Sequence, residues 1–262
     1  MIRYANQFLG VIIWLFCAAG LGNSSLAEEL ISALSSNEVS ITSNFTGTKI
    51  LVFGEINRDA TAVSRAGGYD LVVVVEGPPE RVTTWRKERI LGVWINSNSR
   101  VYPNVPSFYA VHSSAPLEEV SWEITLRQLR TGLSHLPVSP PGLHFASSED
   151  RIAFEDAFIR KRVEDGLYSE RSDAIEFLSP SLFATTIPLP ANISTGTFSI
   201  TTYLYSGEVL LASQRKKLVV KKTGFEQYTY SLAQKHSAVY GIIAVLLALS
   251  TGWLAGVIFR RN

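Results

Sequence analysis

Two short motifs and four histidines are the residues with the most obvious chemical potential in this sequence. Ser213-Gln214-Arg215-Lys216 spells S-x-x-K and Lys222-Thr223-Gly224 spells K-T-G. In penicillin-recognising enzymes those letters supply a serine nucleophile, its lysine and a flanking strand, with an S-D-N motif between them. Here both motifs fall in one expected strand and no S-D-N occurs, so the match is one of letters only. His112, His135, His144 and His236 include no pair at i, i+3 or i, i+4, the spacing that sets two imidazoles on one helix face for a metal. His135 and His144 flank a Pro-rich loop beside Glu149 and Asp150, but solvated or core-satisfied imidazoles explain them more simply. Sulfur chemistry is confined to Cys17 and Met1. If the segment holding Cys17 is removed, no thiol nucleophile or thiolate metal site is left. No catalytic residue, metal ligand or cofactor is therefore expected.

A different chemistry suits Arg81, Arg86, Lys87 and Arg89, which alternate with Trp85 and lie close to Trp94. Along a strand Trp85, Lys87 and Arg89 point one way, Arg86 and Glu88 the other. Arginine and tryptophan anchor protein interfaces, and guanidinium groups hold anions. Trp85, Arg86, Lys87, Arg89 and Trp94 thus form a candidate surface for a partner or an anion. The plainer alternative is a solvated strand face whose cations pair with Glu80 and Glu88. Lys216, Lys217, Lys221 and Lys222 either sit over anionic headgroups, at about 1 kcal/mol each, or guard an edge strand against aggregation.

The ends of the chain decide what holds these residues in place. The protein carries 24 Lys and Arg against 23 Asp and Glu, so no basic surplus points to nucleic acid. Residues 1–27 contain one charge, Arg3, an apolar stretch Phe8 to Leu21, and Ser25-Leu26-Ala27 ahead of Glu28, the pattern of a cleavable signal peptide. Ala238 to Phe259 runs 22 residues without a charge, about 33 Å as a helix, and suffices to cross a bilayer. Arg260 and Arg261 favour a cytoplasmic C-terminus. The expected organisation is a signal peptide over 1–27, a β-rich periplasmic domain over 28–236, a transmembrane helix over 237–259 and a cytoplasmic tail over 260–262. Within the span Ala244, Ala248, Gly252 and Gly256 recur every fourth residue, a small-residue face on which another helix, from a partner or a second copy, can pack closely.

Between the ends the pattern is strands, a helical middle, then strands. Glu38 to Phe45, Lys49 to Ile56, Tyr69 to Val75, Arg81 to Trp85, Ile90 to Ile95 and Phe108 to His112 read as strands, with Asn96 to Ser99 as a turn. Trp122, Leu126, Leu129, Leu133 and Leu136 make one stripe, predicting a helix opened by Ser114 and Pro116. A second helix is predicted over about 148–164. Strands return at Ala174 to Leu178 and Leu182 to Leu189, and Thr197 to Tyr205 pairs with Glu208 to Val220 through a Ser206-Gly207 turn. The fold class is mainly β: an immunoglobulin-like β-sandwich with a helical insertion at about 115–166, plus one C-terminal transmembrane helix. Two separate domains are the alternative.

The blocks NFTG into KILVFGEI, DLVVVVEGPP, WRKERILGVWIN, NVPSFYAVHSSAPL, RVEDGLY, FATTIPLPANISTGTFSITTYLYSGEV and KTGFEQYTY, then YGIIAVLLALSTGWLAGVIFRR, resemble the alphaproteobacterial transmembrane protein family over roughly 37–261. That resemblance implies a signal, an outer domain and one C-terminal span in the inner membrane of a Gram-negative bacterium. It carries no functional residues across. It also implies association with sulfite-exporter-type permeases. The leading expectation is a membrane-anchored periplasmic accessory or scaffold protein for an inner-membrane transporter. Its alternatives are a periplasmic anion-binding or sensing module through Arg86, Lys87 or Arg89 and, behind both, an envelope enzyme. Expected partners are an integral membrane protein or a second copy, together with the lipid bilayer.

Overall fold

Apolar alternation builds the first strands. β1 (Glu29–Leu34), β2 (Glu38–Ile41) and β3 (Thr48–Asn57) open the described chain, and along β3 Ile50, Val52, Gly54 and Ile56 face inward while their neighbours face out. β4 (Asp70–Glu76) breaks that rhythm: Leu71 to Val75 are all buried, as a four-valine run covered on both faces must be. β5 (Pro79–Ile90), β6 (Val93–Pro106) and β7 (Tyr109–Ser113) follow. Then come α1 (Leu117–Val120), α2 (Glu123–Gln128), a 3-10 turn at Leu133–His135 and α3 (Ser148–Glu164). β8 (Tyr168–Arg171), β9 (Glu176–Phe177), β10 (Leu182–Leu189), β11 (Gly196–Ser206) and β12 (Val209–Lys222) complete the β region, and α4 (Ser237–Phe259) ends it. This computed structural model describes residues 28–57, 68–138, 147–224, 230 and 232–259. The expected signal peptide, most of the Pro-rich loop with His144, and the Arg260-Arg261 tail lie outside the described residues.

Two larger sheets and a two-stranded sheet of β5 and β6 result; the larger ones have the orders β1-β3-β10-β9 and β2-β12-β11-β4-β7-β8. The β2–β12 and β7–β8 pairs are parallel and the rest antiparallel. Val52, Phe183 and Ile187 of the first sheet share one apolar core with Leu71, Phe198 and Leu218 of the second. Polar bridges cross the same gap: Ser32 N–H on β1 donates to the Gln214 side chain on β12, and His112 on β7 meets Thr185 on β10 at 2.8 Å. The protein is mainly β, with helical segments between β7 and β8 and one C-terminal apolar helix, as the patterning predicts.

Several local expectations are corrected. The single helix opened at Ser114 is instead α1, α2 and the 3-10 turn. Ser121 interrupts it with extended backbone, and Arg130 and Gly132 take φ of 54° and 103°. Burial explains the break: Tyr109 donates its hydroxyl to Arg130 O at 2.7 Å and accepts from Gly132 N at 3.0 Å, so a core tyrosine captures backbone groups that a helix would use internally. Trp122, assigned to the apolar stripe, is 62% exposed. Ala174 to Leu178 contributes only the two-residue β9, and Asn96 to Ser99 is strand rather than turn. The β11–β12 hairpin closes through Gly207 and Glu208, one residue later than expected. Both have positive φ, the backbone that a type I′ turn demands.

Candidate functional site

The strongest departure from a closed sandwich begins where β4 becomes β5. Glu76 pairs with Tyr109 and Pro79 with Pro106. Between them Gly77 N–H donates to Phe108 O at 2.7 Å and Ser107 N–H to Pro78 O at 2.9 Å, so the ladder passes from sheet to ribbon without a slip. A Cβ on Gly77 would lie 2.5 Å from the Ser107 hydroxyl and 2.8 Å from Phe108 N, so the crossing needs a residue without one. β5 and β6 thus continue β4 and β7 outward as a two-stranded arm. Its tip is Leu91-Gly92, with φ of 51° and 86°, again the type I′ pattern. β6 carries an extra residue opposite Arg86 and Lys87, where Ser97 donates its hydroxyl to Arg86 O at 3.3 Å.

One face of the arm is braced by α3. Ser147 caps that helix, its hydroxyl accepting from Asp150 N at 3.1 Å. At one end of the contact Arg162 binds Glu80, and its guanidinium lies 5.4 Å from the Phe158 ring centroid. Further out, Asp150 receives Arg86 at 2.7 Å and Arg100 at 2.8 Å. Both guanidinium groups stack on Phe154, at 4.5 and 4.9 Å from its centroid. Desolvation works to raise the Asp150 pKa, but hydrogen bonds and charge from Arg86, then from Arg100, outweigh it and hold the carboxyl below its ordinary range. Along this contact runs an open cleft of about 700 Å³, lined by Glu80 to Trp85 of the arm and by Ala157, Phe158, Arg160, Lys161, Arg162, Glu164 and Asp165 around the end of α3.

The five surface residues singled out in the sequence therefore divide. Arg86 faces α3 and is half-buried and paired; Trp85, Lys87 and Arg89 occupy the opposite, exposed face, as the alternation predicts. Trp94 lies across the ladder from Arg89, whose Nε donates to Gly92 O at 3.2 Å. Beyond the α3 brace the arm is apolar and bare. Leu91 is fully exposed, with Trp94 at 66%, Val93 at 63%, and Ile90, Ile95 and Trp85 exposed as well. Leu91 and Val93 were not singled out as site residues. The signal available was an apolar run split by one glycine.

The other candidates do not converge. His112 lies in the core, and His135 spends its Nδ1 on Thr131 O at 2.9 Å, within its own turn. The Thr185 hydroxyl already donates to Ala174 O, so His112 Nδ1 must carry the proton donated to Thr185, which leaves Nε2 as a bare lone pair. Burial, with the Arg171 charge in support, pushes this imidazole down to about 4. Ser213 and Lys216 lie on β12 in the middle of the sheet ladder. No group of three His, Cys, Asp or Glu fit to hold a metal occurs among the described residues.

α4 is 23 residues long, with a mean hydropathy of 2.3, and none of that apolar window is buried. Ala244, Ala248, Gly252 and Gly256 follow one face of it, and a Cβ added at Gly252 or Gly256 would meet open space. Residues 29–261 match the family described as "Putative transmembrane protein (Alph_Pro_TM)". The chain belongs to that family. No curated protein matches it. The family is named for Alphaproteobacteria, and α4 is a helix long and apolar enough to justify the transmembrane part of its name.

Proposed function

We propose that this member of the family is a membrane-anchored accessory or scaffold protein. α4 holds it in the inner membrane with a cytoplasmic C-terminus, and its β-rich body works in the periplasm beside an integral membrane partner. The observation that carries the reading is α4 itself: a helix of membrane length, bare along its whole surface, with Ala244, Ala248, Gly252 and Gly256 in register on one face. In lipid such a face gains packing contact only against another helix. The family resemblance suggests the partner's nature, a transporter of the sulfite-exporter type. An anion-binding module finds less support in the geometry, because Arg86 already spends its guanidinium on Asp150 and the Phe154 ring. Ala248→Leu with Gly252→Leu tests the reading in tagged full-length protein purified from native membranes in mild detergent. A stoichiometric membrane protein should accompany the unaltered chain and be lost from the double variant. Equal recovery from both would remove the packing face from the argument.

A further inference from the structure

The β5–β6 arm and the transmembrane tether leave the body from the same end. β4 is antiparallel to β11, and β11 is antiparallel to β12, so β4 and β12 run in one direction. Ser199 marks a common level, since it pairs with Glu76 on one side and Lys217 on the other. Past that level β12 continues to Lys222, about 17 Å on, and the chain then proceeds to α4. Past the same level β4 continues as the arm, and Ile90 lies about 46 Å along it. Residues 232–235 are already helical, so the chain from Lys217 to Ser237 can span at most about 57 Å. The start of α4 can therefore lie as far out as the arm tip, and one bilayer plane can hold both.

The chemistry of the tip fits that plane. Ile90, Leu91, Val93, Trp94 and Ile95 form an apolar end with no cover from the rest of the described chain. Lys87 and Arg89 lie a few residues behind them on the exposed face, and Trp85 stands beside Lys87. Apolar side chains lead at the turn, Arg89 and Trp94 stand level behind them, and Lys87 and Trp85 follow, so apolar groups face the acyl boundary while indoles and cations share the interfacial and phosphate zone behind. Leu91 strengthens the case. Its φ of 51° is a left-handed conformation that strains a bulky branched residue, and Asn would fit the turn better. A bulky apolar residue held there serves something outside the body.

We infer that the arm tip is a second membrane contact, with Ile90, Leu91, Val93 and Trp94 seated in the interfacial zone of the bilayer that α4 crosses. Lys87 and Arg89 lie at its anionic headgroups. The inference rests on α4 spanning that bilayer and is independent of any protein partner. The test uses the full chain carrying Cys17→Ser, reconstituted in phosphatidylethanolamine–phosphatidylglycerol vesicles. A nitroxide is placed at Leu91→Cys or, on the outward face nearer the arm's base, at Thr83→Cys. The Leu91 label should sit about 5–10 Å below the phosphates, rich in oxygen collisions and shielded from an aqueous nickel complex, while the Thr83 label stays aqueous. If α4 remains inserted and resistant to carbonate extraction while both labels are equally open to nickel, the contact does not exist. If the Leu91 label is immobilised in native membranes but shielded from oxygen and nickel alike, a protein covers the tip, and the bilayer is not its occupant.

Discussion

His112 is the residue at which burial and protonation conflict most plainly. Its Nδ1–H is committed to Thr185, and its Nε2 has no hydrogen-bond partner among the described residues. Charging it would place an unsatisfied cation between the sheets. Its folded pKa is depressed to about 4 from an ordinary 6.5. Above pH 6.5 both folded and unfolded imidazoles are neutral and nothing is lost. As pH falls from there towards 4 only the unfolded chain binds the proton, so stability drops, by about 2 kcal/mol at pH 5. In His112→Gln the difference in unfolding free energy between pH 7 and pH 5 should shrink by about that amount. An unchanged difference would mean that other groups govern the acid response. Asp150 carries a separate prediction. It is the shared counter-ion of Arg86 and Arg100, and in Asp150→Asn both cations stay against Phe154 with their anion gone. Backbone amides of α3 and of the arm around Arg86 should then exchange hydrogen faster, while those of β4 and β11 keep their protection.

At the scale of elements, the arm's turn separates local fit from purpose. Leu91→Asn places a residue that tolerates φ near 51° where a branched one now stands. The substitution should leave the fold intact and raise its stability, by up to about 1 kcal/mol, readable as a higher unfolding midpoint. A fall in stability would mean that Leu91 packs against something in the folded chain, contrary to its full exposure. This turn also marks the limit of what the sequence discloses. Period-two alternation identified the outward Trp85, Lys87 and Arg89 and the inward Arg86, because strand geometry alone decides them. The position of the turn was missed: Asn96 to Ser99 has turn-like composition, yet the ladder to β5 absorbs it. What Arg86 meets was hidden for another reason. Asp150 and Phe154 arrive from a helix more than sixty residues away, a contact that no local pattern encodes. The same holds for α1 and α2, where a buried Tyr109 from β7 overrode a good helical stripe.

For the molecule as a whole, the order of attachments along β12 fixes an orientation. Its start, at the Gly207–Glu208 turn, and its end, at Lys222, are about 43–46 Å apart. Only the Lys222 end leads to α4. With the arm reaching down from that same end, the body is supported at two points, and a second attachment acts at high effective concentration once the first is made. The expectation is a body standing on the membrane rather than swinging freely from its tether. Dyes at Val209→Cys and Lys222→Cys, each in full-length protein lacking Cys17, report this through energy transfer to an acceptor confined to the bilayer surface. Transfer should be strong from Lys222 and weak from Val209, since both positions are exposed and differ mainly in height. Adding Leu91→Asp with Trp94→Asp should then narrow the contrast, because a body released from its arm samples tilted positions that bring Val209 towards the lipid. If the contrast survives loss of the apolar tip unchanged, the tether alone holds the body upright and the arm contributes nothing to its posture.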